Sequence, residues 1–251
     1  MRRAVTPKRA VRSGTRVIGR FAIREPALLA LTVSSGVVDA ISFIALGKIF
    51  TAFISGNVVF LGLGAASAFG SGAPNLLRAG VALVSFAIGA FVAEEILKQF
   101  RGSRIWPQGF AFALTGVLLA QVAFMVGWMV VSGYPSETFA TCLAATSAVA
   151  MGIQSATAGS LGLRGVFTTA VTATVMYLSS DAADRSPFLA EPARLAALLV
   201  CLLVGATAGG LLLVKARTYA PLVPPLATTL AMAGARMSRQ GREAVRPRAA
   251  P

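Results

Sequence analysis

Residues Gly36–Gly62 read GVVDAISFIALGKIFTAFISGNVVFLG, and this stretch decides the fold. It is apolar enough to lie in a bilayer, yet it carries Asp39, Ser42, Lys48, Thr51, Ser55 and Asn57 among glycines 36, 47, 56 and 62. Hydrocarbon tolerates such groups only where neighbouring protein satisfies them. A weaker copy, GIQSATAGSLGLRGVFTTAVTATVMYL, runs from Gly152 to Leu178. The functional reading rests on this pair.

Working outward, apolar runs recur from Ala27 to Val214 in a chain of 251 residues that is 56% hydrophobic and only 13% charged. A soluble domain would carry about 25% charged residues. The expected fold is therefore all-α, a polytopic transmembrane bundle. The net charge of +14 is concentrated in two tails, eight Lys and Arg before the first span and seven after the last. Basic clusters flanking spans set topology and can touch anionic lipid headgroups, so no nucleic-acid partner is expected. The bounds are a basic cytoplasmic tail over 1–26, a membrane domain over 27–214 and a basic Pro/Ala/Arg-rich tail over 215–251. The segment from Leu226 to Arg242 reads either as a surface amphipathic helix or as disorder.

Within the first segment Thr32, Ser35, Asp39 and Ser42 recur at helical spacing and share one face. The second segment, Phe50 to Phe69, holds the pair Gly56-Asn57, a plausible helix break. Segments follow at Leu76–Ile96, Phe110–Val131, Phe139–Leu161, Val166–Ser179 and Leu195–Val214. The fifth is dense in Thr, Ser and Gln, and the sixth is short for a straight crossing.

Setting Phe50-Thr51 on Phe167-Thr168 lays FTAFISGNVVF over FTTAVTATVMY. A one-residue shift sets Gly36 on Gly152, and the same shift sets Gly89-Ala90 on Gly205-Ala206 and Ala93 on Gly209. The expectation is an internal repeat of three segments each, 27–98 and 139–214, joined by a linker helix over 109–132. Repeats in transporters place substrate near the midplane, where interrupted segments meet. Two basic tails on one side require an even number of spans. Six spans, with the second segment re-entrant and the Asp181–Arg194 loop outside, fit the charges best. Seven fit the repeat better.

The run VVDAISFIALGKIFTAFISGNVVFLG resembles the signature of the YoaK-like family of bacterial membrane proteins, roughly G-x-x-D-A-x-S-F and then L-G-x-x-F-T-A-x-x-T-G-N. Gly36, Asp39, Ala40, Ser42, Phe43, Leu46, Gly47, Phe50, Thr51, Ala52, Gly56 and Asn57 match it, and Ser55 keeps the hydroxyl of the usual threonine. The later pattern, G-x-Q-N-A and T-T-x-x-T-G-T, is met by Gly152, Gln154, Ala156, Thr168, Thr169, Thr172 and Thr174. Ser155 and Ala173 depart from it. The resemblance spans about Ala27 to Val214 and implies a small integral membrane protein of about six spans, with no particular activity.

Asp39 is the only acid deep in a span. Such a carboxylate costs about 2.5–3.5 kcal/mol on insertion scales, so it must be protonated, paired or hydrated. It reads either as a proton- or cation-coupling group or as a structural acid bonded to Asn57, Thr51 or a backbone N–H at the helix break. The candidate solute or ion site comprises Asp39, Ser42, Thr51, Ser55, Asn57, Gln154, Thr168, Thr172 and Thr174. Gly36, Gly56, Gly89, Gly205 and Gly209 are expected to serve helix breaks or close packing. Histidine is absent, and Cys142 and Cys201 lack CxxC partners, so neither a metal nor a cofactor is expected. Paired-carboxylate and serine-hydrolase chemistry lack their second acid and their base. The expectation is a transporter or channel for a small solute in the bacterial inner membrane, with both termini cytoplasmic. A membrane scaffold or accessory subunit is the alternative, and a homo-oligomer is compatible with either.

Overall fold

A computed structural model describes residues 25–66, 72–100, 106–160 and 190–244. Seven α-helices account for nearly all of them: α1 (Glu25–Ala45), α2 (Ile54–Ala65), α3 (Leu76–Phe100), α4 (Trp106–Val130), α5 (Glu137–Gly159), α6 (Ala190–Lys215) and α7 (Val223–Ala244). A 3-10 turn over Arg217–Leu222 joins α6 to α7. Five helices, α1 and α3 to α6, are long and apolar enough to cross a membrane. The chain is thus an all-helical bundle of membrane type, with no strand among the described residues.

Two layers of buried side chains fix the direction of each helix. Toward the start of α1, Ala27 and Leu31 pack with Ala93 late in α3, Leu114 early in α4, Ile153 late in α5 and Ala231 in α7. Toward its end, Ile41 and Leu46 pack with Ala79 early in α3, Trp128 late in α4, Ala144 early in α5 and Leu213 late in α6. So α1, α4 and α6 run one way, and α3, α5 and α7 run back. The α7 segment is therefore neither a loose tail nor a surface helix. It starts beside the second layer at Val223 and returns to the level of Ala27.

The most extensive contacts pair α3 with α5 and α1 with α6, followed by α1 with α7 and α4 with α5. Four glycines let the first two pairs approach. A Cβ added at Gly36 would sit 2.7 Å from the Ala206 nitrogen and closer still to the Leu202 carbonyl oxygen. One added at Gly152 would sit 2.9 Å from the Ala90 nitrogen and closer still to the Phe86 carbonyl oxygen. Gly205 abuts the Val33 carbonyl and Gly89 the Val149 carbonyl. One fixed offset carries Val33 onto Val149, Gly36 onto Gly152, Phe86 onto Leu202, Gly89 onto Gly205 and Ala90 onto Ala206. The two interfaces therefore share one register, and backbone against backbone is the contact small residues permit in lipid.

The second segment differs from its sequence reading. The helix does not break at Gly56-Asn57, which lie inside α2. The irregular stretch is Leu46 to Phe53, before the helix. It opens with Gly47 at φ 97° and Lys48 at φ 58°, a left-handed pair that turns the chain back into the bundle. With 12 residues, α2 is about 18 Å long, short of the ~30 Å hydrocarbon core. Both ends of the segment lie at the same end of the bundle. Lys48 Nζ donates to the Gly72 carbonyl, and the Asn75 N–H donates to the Gly47 carbonyl at 2.8 Å.

The corresponding stretch in the second half lies outside the described residues, but its flanks are placed. Ala158 at the end of α5 and Leu195 and Leu198 in α6 share a cluster with Leu28 at the start of α1. The chain thus leaves α5 and enters α6 at one end of the bundle. α6 already begins at Ala190, inside the expected Asp181–Arg194 loop; residues 181–189 of that loop and the expected segment Val166–Ser179 lie outside the described residues.

Candidate functional site

The polar stripe of α1 faces inward as its spacing requires. Thr32, Ser35 and Ser42 are buried, and Asp39 is half-buried. In an apolar surround a hydroxyl bonds back to the carbonyl one turn earlier. Thr32 donates to the Leu28 carbonyl at 2.8 Å, Ser35 to Leu31 at 3.2 Å and Ser42 to Val38 at 2.8 Å.

Asp39 meets the irregular entry to α2. Its Oδ1 accepts the N–H groups of Thr51 at 3.0 Å and Ala52 at 2.8 Å, and its Oδ2 accepts that of Phe53 at 3.0 Å. Asn57 takes the residue before them. Its Oδ1 accepts the Phe50 N–H at 2.9 Å and its Nδ2 donates to the Phe50 carbonyl at 2.6 Å. Four consecutive backbone N–H groups, Phe50 to Phe53, are therefore held by two side chains. No backbone ladder serves them, and an unpaired peptide group in hydrocarbon costs several kcal/mol. The charged acceptor at the start of a helix also complements the macrodipole.

A chain of hydroxyls runs on from this pin. Thr51 Oγ1 lies 3.0 Å from Ser42 Oγ and 3.0 Å from Ser147 Oγ on α5. About two turns further along α5, buried Gln154 donates through Nε2 to the Leu31 carbonyl at 3.0 Å and to Ser35 Oγ at 2.9 Å. Asp39, Ser42, Thr51 and Asn57 are thus brought together, and Gln154 joins the same α1 stripe nearer its start. Ser55 is exposed on the outer side of α2 and takes no part. Thr168, Thr172 and Thr174 lie outside the described residues. Gly36, Gly89, Gly205 and Gly209 sit at helix crossings, and Gly56 packs against the rings of Phe50 and Phe53.

Three groups that sequence reasoning missed brace the site. Arg78, in the first turn of α3, is buried. Its guanidinium donates to the carbonyls of Leu46 (3.3 Å) and Glu137 (2.9 Å), to Thr141 Oγ1 (3.2 Å) and to the Glu137 carboxylate. It ties the turn after α1 to the start of α5. Asn75 caps α3 by accepting the Arg78 N–H at 3.0 Å. Gln121 bridges α4 to two other helices, donating to Ser34 Oγ at 3.2 Å and accepting from Thr228 at 2.7 Å. An arginine next to an aqueous boundary reads as surface, which hid Arg78. Ser147 was visible only as part of the general polarity of its segment.

Among the described residues, no group of three or more His, Cys, Asp or Glu is placed to hold a metal ion. What the site offers is hydroxyl and amide side chains, backbone polar groups and one fully engaged carboxylate, between helices that face lipid on their outer sides. That combination defines a polytopic membrane protein with a polar interior. The chain belongs to the family described as protein of unknown function (DUF1275), whose model matches residues 27–235. It is 29% identical over 164 residues to the UPF0700 transmembrane protein YoaK of Bacillus subtilis (strain 168), covering 65% of this chain and 69% of that one. The family region takes in the first half of α7, further than the Val214 limit drawn from the motifs. No solved structure matches the chain.

Proposed function

We propose that this membrane protein is a transporter or channel for a small solute, built as two inverted repeats that enclose a polar site near the midplane. The observation that carries the reading is the Asp39–Asn57 pin: it holds an irregular, half-length segment inside the bundle, beside a hydroxyl-lined seam between α1 and α5. Irregular backbone at membrane depth is stable only where protein buries it or where it lines a cavity.

Support for the repeat comes from the glycine interfaces, which share one register under one sequence offset. The same offset sets α4 on α7, and α4 packs on α5 as α7 packs on α1. Each half then holds three crossings, and the first half holds a segment that enters and leaves at the same end. This reading gives six spans, with α7 as the sixth, and puts both termini on one side. The basic tails assign that side to the cytoplasm of a bacterial cell membrane. α4 becomes a repeat member and no longer a linker.

The same geometry supports coupling to protons. As a carboxylate, Asp39 has acceptors for all three N–H groups; a proton on one oxygen turns an acceptor into a donor and weakens that grip. Loading and unloading Asp39 would therefore loosen and tighten the entry to α2. The test is flux in proteoliposomes. Wild-type protein passes a small solute, and Asp39→Asn inserts normally but loses the response to a proton gradient. Vesicles inert to a broad solute panel would instead favour the scaffold reading.

A further inference from the structure

Among the described residues two glutamines are buried, and they are used differently. Gln121 has both ends occupied, donating to Ser34 and accepting from Thr228. Gln154 is 0% exposed and uses only its nitrogen, toward Leu31 and Ser35. Among the described residues its Oε1 has no partner, and neither does the buried Oγ of Ser155 beside it in the sequence. Turning the amide over does not help: the Leu31 carbonyl is an acceptor, so the nitrogen must face it and the oxygen must face away. Each such buried, unmade bond costs about 1–3 kcal/mol. Gln154 sits on the α5 face that meets the α1 stripe, along the seam of Ser35, Ser42, Thr51 and Ser147, and Ser155 is the next side chain along the helix.

Resting on the transporter reading, we infer that Gln154 Oε1 and Ser155 Oγ form a binding station for a small uncharged solute bearing N–H or O–H donors, the class of water, ammonia, urea and glycerol. Gln154 Oε1 can only accept, so it selects a donor and disfavours an anion. A dehydrated divalent cation takes six or more oxygen ligands, and two are free here. The nearest carboxylate, Asp39, spends both oxygens on backbone N–H groups and attracts a bare cation less strongly for it. Ser155 both donates and accepts, so it can follow a solute hydroxyl or amide through either orientation.

Two experiments separate this station from the wider reading. In the first, proteoliposomes are tested by stopped-flow light scattering for water, urea and glycerol, with choline chloride and sodium acetate as charged solutes. Selective flux of an uncharged solute, reduced about tenfold by Ser155→Ala or Gln154→Met, is the expected result. Flux of charged solutes alone overturns the station but leaves a transporter. So does uncharged flux that neither substitution changes. Vesicles inert to every solute overturn both. In the second, Ser155→Cys is made in a background with Cys142 and Cys201 replaced by alanine, and treated with a small methanethiosulfonate. Labelling that urea or glycerol slows supports the station. A thiol unreactive from both sides of the membrane, in protein shown to be folded, overturns it whatever the flux.

Discussion

Asp39 Oδ1 accepts the backbone N–H of Ala52 at 2.8 Å, across a turn that carries the chain out of α1 and back into the bundle. The carboxylate serves three donors, so its removal and its neutralisation have different consequences. Asp39→Ala leaves Thr51, Ala52 and Phe53 N–H groups without acceptors and is expected to cost about 3 kcal/mol or more. Asp39→Asn keeps one acceptor oxygen and costs roughly half as much. Unfolding in mixed detergent micelles measures both. Equal stability of the alanine variant and wild type would remove the pin from the account.

Arg78 and Glu137 form an ion pair, but the pair itself is the lesser part of that contact. The Glu137 side chain is 87% exposed while that of Arg78 is 5% exposed. Exposed pairs contribute about 0–1 kcal/mol. Glu137→Gln is therefore expected to change stability by less than about 0.5 kcal/mol. Arg78→Met strips donors from the Leu46 and Glu137 carbonyls and from Thr141, and is expected to cost about 2–4 kcal/mol. The same unfolding assay ranks the two, and the reverse order would mean the charge matters more than the carbonyls.

The glycine crossings predict matched damage in the two halves. Gly36→Leu forces α1 off α6, and Gly152→Leu forces α5 off α3, each through a clash with a backbone that cannot move aside alone. Both are expected to destabilise by more than about 3 kcal/mol, since overpacking costs typically 1–3 kcal/mol even where side chains can yield. Gly62→Leu, with open space around it, is expected to be neutral. Fluorescence size-exclusion chromatography after graded heating reads all three.

Sidedness tests the six-span reading. Tags at residue 1 and residue 251 are expected on the same, cytoplasmic, face in intact cells. A cysteine at Gly72 or Tyr134 is expected to label from the opposite face, since both lie at the far end of α1. Tags on opposite faces would exclude α7 as a crossing helix.

Much of this fold could be read in the chain because lipid leaves few choices. Apolar runs of the right length became helices, and the spacing of Thr32, Ser35 and Ser42 put them on the buried side of α1. Asp39 and Asn57 were legible as unusual residues, but their partners were not: backbone N–H groups carry no sequence signature. The break near Gly56 was misplaced because a glycine inside an apolar run looks like a weak point. Here the turn was made by Gly47 and Lys48, and Asn57 works from within the helix. The role of α7 was hidden by composition. Its basic second half lowers its average apolarity, while Ala227, Thr228 and Ala231 in the first half pack inside the bundle. Arg78 was overlooked because its burial comes from Leu46, Glu137 and Thr141, which are distant in sequence.

The pairing of α1 with α6 also bears on synthesis. The groove at Gly36 is filled by Leu202 and Ala206, which the ribosome makes more than a hundred residues later. Until then the first helix stands in the membrane with a backbone-deep notch on one side. Contacts so distant in sequence form late. The first half is therefore made before the helix that closes its notch exists. A chain stopped after α5 would leave that notch without its own helix to close it.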